Sequence, residues 1–278
     1  MKYDDKKIED MVKGWYSETA EYEWERLQQD PYHQIEFIVT VHFLEKFLPK
    51  NGLILDAGAG PGRYTLELAK RGYDLIILDL TPTMLEIAKK EITQAGLEKR
   101  VKGDFTSSIE DLSIFSNEMF DAVLCLGSPL GHIIDAKKRE KSIREIIRVA
   151  KNQAPIFISV ISLIGLLKTI LIKFPNNIKH LQHHWKDSNY ILGETGKGFA
   201  PTHFYLPEEL VKDFENHDVE ILEIAGLEGL SSHHNKETNE IYKDPDKWNK
   251  WIEVLIETCT HPSLIGSSEH FLLVCRKK

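Results

Sequence analysis

Three carboxylates and three glycines are spaced as a ligand site would need them. Asp56, Gly58, Gly60 and Gly62 lie in "ILDAGAGPG", residues 54–62, at the end of an apolar run and the start of a helical one. Glycines at alternate positions let a backbone turn through positive φ and approach a ligand closely. A dinucleotide fingerprint reads G-x-G-x-x-G, but Arg63 stands where its third glycine would fall. The Lys-Ser/Thr ending of a phosphate loop is also missing. The loop therefore suits a ligand held by shape and polar ends better than a pyrophosphate, with an NAD-type site as the alternative. Asp79 and Asp104 each close a later strand-like run. A carboxylate at the first place can accept both hydroxyls of a ribose, and one at the second can accept an adenine amino hydrogen.

Other residues offer proton transfer or metal chemistry. His132 ends "GSPLGH", residues 127–132, and is a candidate base. That role needs both reach and a suitable pKa, and the plainer reading is a loop histidine. "HLQHH" puts His180, His183 and His184 on one helical face, and His203, His233, His234 and His261 lie further on. Metal ligation would need two or three of these to converge. Clustered histidines are more often solvated or line polar pockets, so no metal is expected. His203 and Tyr205 are better placed for substrate contact, as is Tyr22 within an aromatic N-terminus that also carries Tyr16, Trp24 and Arg26.

These residues need a scaffold, and the hydrophobic pattern supplies one. Short apolar runs at 52–57, 74–80, 100–105, 120–128 and 154–162 alternate with helical stretches. Strands covered on both faces read this way, and the alternation predicts βαβ units with a parallel sheet. The acids then fall at C-terminal strand ends, where open α/β sheets bind ligands. Two further strands are expected at 219–229 and 269–277, giving seven. Residues 1–33 read as an N-terminal helical cap of one or two short helices. Residues 34–278 form the main domain, with insertions at 163–205 and 231–268 expected to act as helical lids over the site.

Composition narrows the function classes. The 278 residues carry a net charge of −8, a poor default for binding a nucleic-acid backbone. The three cysteines, Cys125, Cys259 and Cys275, show neither zinc spacing nor a disulfide framework. A reducing, cytoplasmic setting is expected. The N-terminus lacks an apolar signal core. The apolar stretch 156–174 is interrupted by Gly165 and Lys168, so it reads as a strand running into a helix rather than a membrane span.

Taken with its neighbours, the glycine run resembles the class I S-adenosylmethionine-dependent methyltransferases. "ILDAGAGPG" resembles that family's first motif, "LIILDL" its acidic second strand, "KGDF" its third-strand acid and "FDAVLCLGS" its fourth strand. The resemblance covers residues 34–161, returns weakly at 206–229 and 269–277, and is closest to the UbiE-like and SmtA-like group. It implies a doubly wound, mostly parallel seven-stranded α/β sheet of the Rossmann-like methyltransferase fold. S-adenosyl-L-methionine is the implied cofactor. Gly58 and Gly60 would line its methionine and ribose portion, Asp79 would hold the ribose hydroxyls, and Asp56, which can tie the glycine turn together, and Leu80 would belong to the same cofactor site. Asp104 and Phe105 would flank the adenine, and the backbone near Leu126 would face the amino group. The Asn/Asp-Pro-Pro-aromatic signature of some members is missing from residues 127–132, which argues against adenine-N6 or glutamine acceptors. The implied activity is methyl transfer to a small molecule by in-line displacement. A tRNA modified base as acceptor, using lysines around 168–179 and 236–250, stays open as an alternative. So does a non-catalytic cofactor-binding regulatory module.

Overall fold

The structure is a computed structural model that describes residues 4–191 and 199–278. Part of the first insertion, 192–198, lies outside the described residues. Strands β1 (Leu53–Ala57), β2 (Asp74–Asp79), β3 (Val101–Thr106), β4 (Ala122–Cys125) and β5 (Pro155–Ile161) run parallel. The last two sheet strands, β8 (Val219–Gly226) and β9 (His270–Lys277), close it in the order β3-β2-β1-β4-β5-β9-β8. β9 is antiparallel to both β5 and β8. A separate two-stranded pair, β6 (Asn189–Tyr190) and β7 (Thr202–His203), belongs to the first insertion.

Helices cover both faces because the central strands are apolar on both. Ile54, Leu75 and Leu124 point to one side, where α2 (Pro31–Phe47), α3 (Arg63–Lys70) and α10 (Pro245–Thr258) supply Val39, Phe43, Leu68 and Leu255. Leu55, Leu78 and Val123 point to the other, toward α5 (Ala136–Val149) and α8 (Pro207–Glu215) through Ile143, Ile146 and Phe214. α4 (Pro82–Gln94) packs Leu85, Ala88 and Ile92 on Ile77. Strand order reverses between β1 and β4, the topological switch point where doubly wound sheets open a crevice.

The N-terminal region differs from its expected form. It is one continuous helix, α1 (Asp5–Arg26), and α2 begins at Pro31, across the boundary expected at residue 33. Asp30 caps α2 by accepting the His33 amide at 3.0 Å. α1 lies over α4, with Ala20 packed on Met84 and Ile87.

The insertions hold α6 (Leu163–Lys173), α7 (Leu181–Asp187), α9 (Asn235–Ile241) and α11 (Pro262–Ile265), together with α10. The second is a layer of the fold rather than a lid, since Leu255 and Cys259 of its α10 segment are buried in the core. Among the described residues, no helix is long and apolar enough to cross a membrane.

Candidate functional site

A cavity with about 1220 Å³ of empty space, its mouth included, opens at the C-terminal ends of β1, β2 and β4. Its floor is the loop after β1. Gly58 and Ala59 donate their amides to the Leu78 carbonyl at 2.7 and 3.0 Å, folding the loop back on β2. Gly58 has φ +87°, and a Cβ there would stand 2.2 Å from Pro129 Cγ, so only glycine passes. Gly60 has φ +53° and open space where a side chain would project.

Asp79 locks this loop. Its Oδ2 accepts the Gly60 amide and its Oδ1 the Thr81 amide, both at 2.8 Å. Burial pushes the carboxyl up to about 6 against the pull of those hydrogen bonds. Each oxygen retains acceptor capacity, and the residue lines the cavity. Asp56 is set back from it. Its Oδ2 accepts the Thr65 hydroxyl at 2.6 Å, fastening β1 to α3, and burial pushes its carboxyl up to about 6 as well. Its place is therefore in the support of the loop, not in the cavity wall.

Gly58, Gly60, Asp79, Leu80, Leu126 and His132 all line the cavity. Asp104 and Phe105 do not, which corrects the adenine-flanking assignment. β3 runs on to Thr106, so Asp104 lies within the strand rather than at its end. Its carboxylate pairs with Lys89 Nζ at 2.9 Å on the exposed side, and Phe105 turns edge-on to Phe115. The wall here comes instead from Ser107, Ser108 and Ile109, just past the strand.

The three substrate-contact candidates are also displaced. Tyr205 is fully buried in the main core, and its backbone bridges to Ile161 and Leu163. His203 is buried between Asn189 Oδ1 at 2.9 Å and Glu209 Oε1 at 2.7 Å. Tyr22 is exposed because it follows Tyr16 by six positions, about a third of a turn out of phase with the inward face of α1. None of the three lines the cavity. Among the described residues, neither insertion lines it either. The roof is α1, through Ile8, Val12, Tyr16 and Glu23.

His132 meets that roof. Its Nδ1 lies 2.8 Å from the Pro201 carbonyl and 3.1 Å from Thr202 Oγ1, and its Nε2 lies 2.6 Å from the Tyr16 hydroxyl. A carbonyl only accepts, so Nδ1 carries the proton and Nε2 accepts from Tyr16. Burial pushes His132 down to about 4 despite the Pro201 contact, which keeps the imidazole neutral near pH 7. Burial pushes the Tyr16 hydroxyl well above its ordinary range.

A second polar cluster anchors the end of α1. Arg26 Nη1 lies 2.7 Å from Glu36 Oε2, and His270 Nδ1 lies 2.7 Å from Glu228 Oε1. Burial opposes ionisation of Glu36, yet Arg26 and His270 hold its carboxyl down at about 2. Burial likewise opposes charge on His270, but Glu36 and Glu228 raise it to about 9. Ligand atoms of Glu36, Glu228 and His270 lie within 4.8 Å of one another, and Arg26 supplies positive charge among them. Sequence spacing gave no sign of this cluster, whose members are widely separated along the chain. Of His180, His183 and His184, none belongs to it.

Residues 54–153 match the sequence family described as a methyltransferase domain. The chain is 26% identical over 227 residues to a ubiquinone biosynthesis O-methyltransferase of Hahella chejuensis, covering 80% of this chain and 82% of that one. Its fold resembles a SAM-dependent methyltransferase of Methanosarcina mazei, with a TM-score of 0.59 at 20% identity over 84% of this chain and 96% of that one. It also resembles the 1,6-didemethyltoxoflavin-N1-methyltransferase of Burkholderia thailandensis, solved with 1,6-didemethyltoxoflavin and S-adenosylhomocysteine bound. There the TM-score is 0.58 at 12% identity, over 100% of this chain and 92% of that one.

Proposed function

We propose that the chain, whose residues 54–153 match a methyltransferase domain, acts as a class I S-adenosylmethionine-dependent methyltransferase that methylates a hydroxyl oxygen of a small molecule. When bound, the cofactor supplies an electrophilic methyl carbon on a positively charged sulfur. The cavity's own features suit such a ligand. Gly60 leaves an open backbone cradle, Asp79 keeps acceptor capacity for a ribose diol, and Leu80, Ile109 and Leu126 offer an apolar wall. In this reading Gly58 and Gly60 face the methionine and ribose portion, and the backbone at Leu126 faces the amino group. Leu80, Ser108 and Ile109 enclose the adenine.

The observation that carries the choice of acceptor atom is the neutral His132, with Nε2 directed to the Tyr16 hydroxyl at the cavity. A base is useful only where the nucleophile must shed a proton, as a hydroxyl must. A ubiquinone biosynthesis O-methyltransferase among the relatives supports the same atom. Cavity-lining carboxylates, among them Asp5, Glu9, Glu23, Glu110 and Asp135, outnumber the basic Arg26, Arg63 and Lys138. Such a lining disfavours a phosphate-rich acceptor such as tRNA.

A panel of catechols, phenols, alcohols, amines, thiols and bulk tRNA, assayed for transfer of a labelled methyl group, tests this reading. Turnover of a small hydroxyl compound is expected. Turnover of amines or tRNA alone would overturn it.

A further inference from the structure

We infer that Tyr16 is the acceptor-facing member of a two-residue proton relay with His132. The inference rests on the hydroxyl-acceptor reading and adds the path by which the proton leaves. His132 presents Nε2 toward the cavity, and the Tyr16 hydroxyl stands 2.6 Å in front of it. An acceptor reaching Nε2 directly would have to displace that hydroxyl. Used as it stands, the pair needs no displacement: the Tyr16 oxygen donates its proton to Nε2 and keeps lone pairs to accept another. Both residues line the cavity beside Gly127 and Pro129.

The step balances. The acceptor O–H proton passes to the Tyr16 oxygen as the tyrosine's own proton passes to His132 Nε2, leaving a neutral tyrosine and an imidazolium. The electron pair freed on the acceptor oxygen forms the bond to the methyl carbon, and the carbon–sulfur pair stays with sulfur. The Pro201 carbonyl, already accepting from Nδ1–H, stabilises the imidazolium. After product release the proton returns to water by the same path.

The architecture gives Tyr16 a second reason to matter. It belongs to α1, so the relay joins the roof of the cavity to the segment after β4. Aromatic contacts reinforce that position: Trp15 and His132 both meet the Phe199 ring, at 5.6 and 5.8 Å.

The test compares wild type with Tyr16→Phe and His132→Gln on hydroxyl acceptors of graded acidity, alongside ¹⁵N NMR of histidine-labelled protein. The NMR should show His132 as the Nδ1–H tautomer, with its Nε2 signal displaced in Tyr16→Phe. S-adenosylhomocysteine should bind Tyr16→Phe within about threefold of wild type by calorimetry. The loss in kcat should be on the order of 10²-fold for weakly acidic alcohols, the lower end for a general acid–base group, and should shrink steadily as acceptor acidity rises. A loss independent of acceptor acidity, no loss at all, or an unmoved Nε2 signal would overturn the relay alone. Wild type inert toward every hydroxyl acceptor would overturn the acceptor reading, and the relay with it.

Discussion

The Gly60 amide donates to Asp79 Oδ2 across 2.8 Å, so the glycine loop after β1 and the acid at the end of β2 form a single unit. The carboxylate that would receive a ribose also fixes the backbone that would cradle it. Protonation of that one group should affect both.

Asp79 is held near pKa 6 by burial, so the carboxylate proposed to accept the ribose is protonated as pH falls through that value. S-adenosylhomocysteine affinity should be level above about pH 7 and weaken by up to about tenfold per unit below pH 6. Calorimetric titration from pH 5 to 8 checks this, and Asp79→Asn should bind weakly with a flat profile.

Gly58 is constrained by Pro129 as well as by its own φ of +87°. Gly58→Ala should lower stability by about 1–3 kcal/mol through strain and a shifted Pro129. Cofactor affinity should fall in the same protein. Chemical denaturation and calorimetry on one preparation read both effects. Gly60→Ala meets open space, so its cost in affinity should exceed its cost in stability.

The cluster at the end of α1 sets a stability profile with two limits. Glu36 titrates lower in the folded chain than unfolded, so its contribution is present above about pH 4.5 and lost toward pH 2. His270 titrates higher when folded, so its contribution is complete below about pH 6.5 and lost as pH rises through 9. Melting temperature should therefore decline from pH 6.5 to 9, and His270→Gln should flatten that decline. Arg26→Ala, which leaves Glu36 buried without its main partner, should cost about 3 kcal/mol by denaturant unfolding.

His132 is neutral at pH 7 because burial holds it near 4. The acid limb of kcat/KM for a hydroxyl acceptor should therefore carry a His132 inflection near pH 4, below the one expected from Asp79 near 6. His132→Gln should remove the lower inflection and reduce kcat by on the order of 10²-fold or more. S-adenosylhomocysteine affinity should stay within about threefold of wild type.

The fold was legible because it is written in short-range patterns. The apolar runs at 52–57, 74–80 and 154–162 mark strands buried on both faces, and the seven-stranded sheet, the methyltransferase family, its enzymatic character and its cofactor all followed from runs ending in glycine or aspartate. The cavity wall was legible at residues that end a strand or closely follow one, Gly58, Gly60, Asp79, Leu80 and Leu126, and at His132 in the segment after β4. Asp104 misled because β3 extends to Thr106, beyond the residues that looked like a strand. His203 and Tyr205 misled because their partners, Asn189, Glu209 and Ile161, lie on elements brought together only by the fold. The insertions suggested lids by their length, as residues 1–33 suggested a cap; among the described residues the roof is α1 of that cap, whose inward residues recur at helical spacing through a charged segment.

The most direct test of the account is calorimetric titration of wild type and Asp79→Ala with S-adenosylhomocysteine at pH 7.5, with NAD as the control ligand. Wild type should bind S-adenosylhomocysteine and ignore NAD, and Asp79→Ala should weaken binding at least tenfold without unfolding. Equal affinity in the two proteins, or heat from NAD alone, would contradict the assignment of this cavity.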